Sequence, residues 1–231
     1  MSAAIRPGPG GAGPAPSDGA IVTLPASVRD AVAWFDFGTL PDVADGTSLR
    51  TWVGLTGERA RLFAGTAPTL NTTAPASLDY SAAGGCQRVE DLSISGAAPR
   101  SLAVVVTRGA FYGKKWLIVW GYIYGIYLYG HTPQVEHGTG AVLDAGAAID
   151  GERHLIVSTY NGSVGKLYVD GALVDTRTYG ALTSTAQPLA LAARGDAAYE
   201  PFNGKLHAAG AWDRALSAAE VAALHAWLAA R

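Results

Sequence analysis

No stretch of this chain narrows the choice of fold more than Ser101-Leu102-Ala103-Val104-Val105-Val106-Thr107. A short, continuous apolar run rich in β-branched residues fits a buried β-strand. Comparable runs recur at 28–37, 116–120, 122–129, 153–160, 188–193 and 204–212, several of them dense in aromatic and β-branched residues. Between 166 and 174, Asp170-Gly171 separates two apolar runs, a strong hairpin signal. Glycine, at 29 residues, punctuates these segments, as many strands and tight turns require. At 231 residues, 49% hydrophobic and 16% charged, the chain can bury a large core without disulfides or metals.

One helix is well specified near the C-terminus. Ser217 and Glu220 have the spacing of a capping box, Leu216 and Val221 that of a hydrophobic staple. Val221, Leu224 and Leu228 then share one face, which predicts a helix to about Ala230 packed on the strands. Residues 1–20 read instead as a Gly/Pro-rich extended arm, set apart from a domain spanning 21–231. Ile5, Arg6, Pro7, Pro9, Pro14 and Pro16 are its candidate partner contacts.

The order of the segments carries a resemblance. Arg153-His154-Leu155-Ile156-Val157 is followed by Tyr168-Val169-Asp170-Gly171, then Phe202-Asn203-Gly204-Lys205-Leu206. Trp212-Asp213-Arg214-Ala215-Leu216-Ser217-Ala218-Ala219-Glu220 comes last. Upstream lie Ala31-Val32-Ala33-Trp34-Phe35-Asp36, Trp52-Val53-Gly54-Leu55-Thr56-Gly57 and Ala76-Ser77-Leu78-Asp79-Tyr80. Over about residues 28–230 this resembles the concanavalin A-like, laminin-G-like jelly-roll domains of bacteriophage structural and bacterial surface proteins. The resemblance implies an all-β, two-sheet antiparallel sandwich.

Chemistry is sparse. Glycoside hydrolysis needs two carboxylates held about 5–10 Å apart. Here Glu90-Asp91 are adjacent and would point to opposite faces of a strand, while Glu136, Glu152 and Glu200 are isolated in sequence. There is no zincin, nucleophile-elbow or phosphate-loop pattern. His131 and His137 flank a turn region, where structural roles outweigh ligand contact. The lone Cys86 reads as a small buried hydrophobe. No cofactor is expected. Calcium is the one candidate, with Asp36, Asp42 and Asp45 or Asp144 and Asp150 near one another in sequence, although turn formation explains Asp45-Gly46 and Asp150-Gly151 more simply.

The net charge of −2 argues against nucleic acid, and no apolar stretch is long enough to span a membrane. The best ligand candidates are the aromatics of 111–129, with Tyr112, Tyr122, Tyr124, Tyr127 and Tyr129 as possible glycan or protein contacts. Strand alternation sends about half of that segment inward.

The expectation is a non-catalytic virion protein, a bacteriophage capsid-decoration or tail-associated subunit. Its partners would be other virion proteins, copies of itself and cell-surface glycans, with assembly in the host cytoplasm. A first segment without an apolar export core, together with the arm, motivates this reading. The alternative is a carbohydrate-binding module of an extracellular bacterial protein.

Overall fold

The computed structural model describes residues 25–37, 44–73, 75–81, 84–121, 124–138, 142–179, 181–182, 184–194 and 199–231. The arm and its candidate contacts Ile5, Arg6, Pro7, Pro9, Pro14 and Pro16 lie outside them, as does Tyr122. In chain order a short helix α1 (Ala26–Arg29) precedes β1 (Ala33–Asp36), β2 (Thr51–Val53), β3 (Arg59–Ala64), β4 (Thr69–Asn71), β5 (Ser77–Asp79), β6 (Cys86–Ile94), β7 (Arg100–Arg108) and β8 (Lys114–Val119). Then come β9 (Tyr124–Tyr129), β10 (Thr132–His137), β11 (Val142–Asp144), β12 (Arg153–Tyr160), β13 (Val164–Val169), β14 (Ala172–Thr178), β15 (Gln187–Leu191), β16 (Gly204–Trp212) and helix α2 (Ala218–Ala229).

The strands form two eight-stranded sheets. Sheet A runs β14-β13-β12-β7-β16-β5-β4, with β1 also paired to β16; sheet B runs β11-β10-β9-β8-β15-β6-β3-β2. All of these strand pairings are antiparallel. The architecture is the expected two-sheet sandwich with a C-terminal helix. The short strands β2, β4, β5 and β11 and the long β6 carry no continuous apolar run of the kind that marks β7.

Alternation along β7 explains its sequence. Leu102, Val104 and Val106 point between the sheets, beside Ile126 and Leu189 of sheet B. Ala103 and Val105 point to the outer face of sheet A, where Val221, Leu224 and Leu228 of α2 cover them. Over 102–106 both sides of the strand meet apolar groups, hence the unbroken apolar run. The capping box of α2 forms as its spacing predicts: Glu220 N donates to Ser217 Oγ at 3.3 Å and Ser217 N to Glu220 Oε2 at 2.8 Å. Each of the three buried apolar side chains of α2 contributes about 1.5–3 kcal/mol.

Trp34 is the pivot of this outer core. It is fully buried, with Trp212 and Trp227 at ring-centroid distances of 5.9 and 6.1 Å. Its cross-strand partner is Gly210. A methyl group there would stand 2.4 Å from Trp34 Cε3, so the flat ring needs a residue without a side chain opposite it.

Inside the sandwich, His137 is completely buried. It stacks on Tyr179 at 4.2 Å and meets the edge of Tyr124 at 4.9 Å, and neither ring nitrogen has a hydrogen-bond partner. Burial, reinforced by the Arg100 guanidinium, holds its pKa down to about 3. His207 is held down to about 4, again mainly by burial. Of the two histidines flanking the turn region, His137 is thus a core residue with no access to a ligand.

Two outcomes follow. Gly210→Ala is expected to lower stability by about 1–3 kcal/mol through overpacking against Trp34, read as a reduced urea midpoint at unchanged m-value. The histidines add a pH dependence. In the unfolded chain they take up protons below their ordinary pKa of about 6.5, while the folded state resists until about 3 and 4. The stability that these two histidines contribute is therefore complete above pH ~6.5 and falls as the pH drops through that window. His154, whose partial burial is outweighed by the Asp150 and Asp170 carboxylates that raise its pKa, contributes in the opposite sense. His137→Phe should flatten the slope of stability against pH below 6.5 by up to about 1.4 kcal/mol per unit. Urea melts at several pH values check this, and an unchanged slope refutes it.

Candidate functional site

The outer face of sheet A is occupied by α2. The outer face of sheet B is where the aromatic segment of the sequence delivers its outward half. In β8 and β9, Leu117, Ile118, Ile126 and Leu128 enter the core. The alternate positions Lys114 and Trp116, Tyr127 and Tyr129 therefore point outward and face one another across strands, Trp116 opposite Tyr127 and Lys114 opposite Tyr129.

Trp116 and Tyr127 pack with ring centroids 5.0 Å apart. Lys114 Nζ lies 4.1 Å from each ring and pairs with Glu136. An ammonium over two aromatic faces is electrostatically favourable. The indole N–H of Trp116 donates to Glu200 Oε2 at 3.0 Å, and Gln134 Nε2 donates to Asp144 Oδ2 at 2.6 Å on the neighbouring strands. Burial, with the Glu136, Asp144 and Glu200 carboxylates nearby, pushes the Tyr127 phenol above its ordinary pKa. Tyr129, 58% exposed, is the open end of this cluster.

Further along the same face the charge reverses. Arg61 of β3 stands directly opposite Arg88 of β6, and the Arg88 guanidinium stacks 3.2 Å above the half-exposed Phe63 ring. Arg194 lies over exposed Tyr199 at 4.9 Å. These two residues belong to a loop that leaves the sheet after β15. Arg194 bridges Tyr199, Trp116 N donates to Glu200 O, and Phe202 N closes the loop on Ala192 O at 2.6 Å.

The structure sorts the candidate tyrosines by face. Tyr124 is fully buried in the inter-sheet core and bonded to Ser158 Oγ at 3.0 Å, so it is no surface contact. Tyr127 is on the outer face but only 4% exposed, covered by its neighbours, and contributes an edge instead of an open ring. Tyr112 is 97% exposed in the loop before β8. Gly113 O accepts from Gly130 N, which brings that loop beside the end of β9 that carries Tyr129.

Lys114, Gln134, Arg61, Arg88 and Phe63 were not singled out from sequence, although Lys114 is betrayed by its i, i+2 spacing from Trp116. Glu136 and Glu200, isolated in sequence, meet around Trp116 and Lys114, and no local signal announces that meeting.

The remaining candidates serve the fold. Among the described residues no group of three or more His, Cys, Asp or Glu side chains is placed to hold a metal ion. Asp45 accepts from Thr72 N at 2.7 Å, a long-range tie to the end of β4, and Asp150 accepts from Glu152 N at 2.8 Å, a turn role; Asp42 lies outside the described residues. Cys86 is buried beside Ala190 and Ala193. A recess of about 290 Å³ beside the end of α2 is lined by Arg153, His207, Asp36 and Arg231. There Arg153 donates to Leu228 O at 3.0 Å, His207 lies between Ala76 O and Thr107 Oγ1, and Arg231 pairs with Asp36.

Comparison with known proteins agrees with this architecture. The profile described as the concanavalin A-like lectin/glucanases superfamily matches residues 107–222, half of the chain. The chain belongs to that superfamily. No functionally curated protein matches the sequence. Among solved structures, Trypanosoma rangeli sialidase in complex with sialic acid superposes with a TM-score of 0.60 at 14% identity, over 85% of this chain and 33% of the sialidase. The botulinum neurotoxin serotype D binding domain gives a TM-score of 0.62 at 11% identity, over 87% of this chain and 52% of that one. The chain thus spans a third of the one protein and half of the other, and at these identities the likeness is one of fold.

Lys114 is the cover of the aromatic pair. Lys114→Ala is expected to raise the accessibility of Trp116, seen as several-fold faster hydroxyl-radical labelling of the peptide carrying it, with the other tryptophans unchanged.

Proposed function

We propose that this domain binds glycans on the outer face of sheet B and performs no chemistry on them. The observation that carries the reading is the Lys114–Trp116–Tyr127–Tyr129 cluster. It places the exposed Tyr129 ring, backed by the buried Trp116–Tyr127 pair, beside carboxylates and the Gln134 amide on the sheet face that no helix among the described residues covers. Sugars present apolar C–H faces ringed by hydroxyls, and aromatic surface bordered by hydrogen-bonding groups meets both. Membership of a superfamily described by lectins and glucanases supports the same reading.

Glu136 and Glu200, the carboxylates nearest the cluster, are engaged by Lys114 and by the Trp116 indole. They act as fixed acceptors that orient the aromatic pair. The virion reading rests on residues 1–20, and nothing on the described surface favours it over glycan binding.

The test is a glycan array probed with the whole chain and with a Tyr112→Ala/Tyr129→Ala double variant. The wild type is expected to retain a restricted set of glycans, and the variant to lose about tenfold or more in affinity while keeping its thermal midpoint. A wild-type chain that retains no glycan above background removes the proposal.

A further inference from the structure

We infer that the glycan recognised here is anionic, with Arg61 and Arg88 holding its carboxylate or sulfate; this rests on the glycan-binding reading above. Directly opposite residues on antiparallel strands have Cβ atoms about 4.5–5.5 Å apart, and like charges in that position repel. Arg61 and Arg88 are such a pair. None of the ion pairs among the described residues includes either of them. Glu90, two residues along β6 from Arg88, is exposed and enters no ion pair with either arginine.

Arg88 shows the demand for a partner most clearly. Its Nε is buried with no hydrogen-bond acceptor, and its guanidinium plane is fixed by the Phe63 ring beneath it. A buried donor without an acceptor costs about 1–3 kcal/mol. Stacking has already restrained the fork that a carboxylate or sulfate would accept from bidentately. Arg61 supplies a second, exposed fork from the adjacent strand. An anion between them relieves the repulsion and accepts from the terminal nitrogens of both forks.

The pair is also placed to act with the aromatic cluster. Arg88 pairs with Ala190 of β15, and Ala190 with Val119 of β8. At about 4.8 Å per strand Arg88 lies roughly 10 Å and Arg61 roughly 14 Å across the sheet from β8, level with Val119, about 10 Å along the strand from Trp116, so that an oligosaccharide of several residues spans both. One end of the face is bordered by Glu136, Asp144 and Glu200, the other by Arg61 and Arg88. An acidic residue of an oligosaccharide is repelled from the first and drawn to the second, which sets the direction in which the chain lies.

The experiment is an array of matched neutral, carboxylate-bearing and sulfate-bearing oligosaccharides. It is probed with the wild type, Arg61→Gln and Arg88→Lys at two salt concentrations, with thermal melts confirming that each variant is folded. The expected result is preference for one acidic series, weakened by salt and by about ten- to a hundredfold in each variant. Because Arg88→Lys keeps the charge, its loss isolates the bidentate geometry. Which acidic series is retained tells carboxylate from sulfate. Equal binding of neutral and acidic glycans, unaltered in the variants, overturns the inference and leaves the glycan-binding reading standing. No binding to any glycan removes both.

Discussion

Strand β7 has no side facing solvent, and the arrangement of the molecule keeps it so. Its inward residues meet sheet B, and its outward residues meet α2. The helix must therefore stay docked. It is fastened at its start by Ser101 of β7, whose Oγ donates to Arg214 O and accepts from Leu216 N, and at its end by Arg153, which donates to the Leu228 carbonyl. Arg231 reaches back to Asp36 of β1. Committing the outer surface of sheet A to stability leaves sheet B, among the described residues, as the sheet whose outer face carries no helix.

That second surface is polarised. Around Tyr127 the carboxylates of three separate segments converge, one of them neutralised by Lys114; beyond β15 Arg61 and Arg88 stand opposite each other, Arg88 against the Phe63 ring, with exposed Glu90 two residues along β6. A cation over an aromatic face retains attraction without an ion pair and loses less hydration than in a closed salt bridge. Arg88 thus keeps its charge instead of having it cancelled internally.

Legibility in the sequence followed the locality of the determinants. The β7 run, the Asp170-Gly171 turn and the Ser217 cap are set by neighbouring residues, and each appears where its pattern places it. The split of the tyrosines was legible only in half: alternation says that Tyr127 and Tyr129 share a face opposite to Leu128, but not which face is the core. Tyr124 is inward for the same periodic reason, which a reading of the segment as a single aromatic block obscures. Strands such as β3, with Arg59, Arg61 and Phe63 outward, have too few apolar residues to announce themselves. The approach of Glu200 to Trp116, 84 positions apart, and of Arg61 to Arg88 depends on strand register, and register is a property of the assembled sheet.

The loop between β15 and β16 begins and ends at one point, since Ala192 and Phe202 are hydrogen-bonded to each other. Between them Arg194 pairs with Tyr199, and Glu200 is fastened to β8 through both the backbone N–H and the indole N–H of Trp116. Doubling the length of a loop costs only about 0.6 kcal/mol in closure entropy, so the positions between Arg194 and Tyr199 can be lengthened while these contacts are kept. Relatives of this domain are thus free to vary those positions in length and chemistry. A repertoire of specificities can accumulate on an unchanged scaffold, and for protein engineering this is the position at which to graft a library.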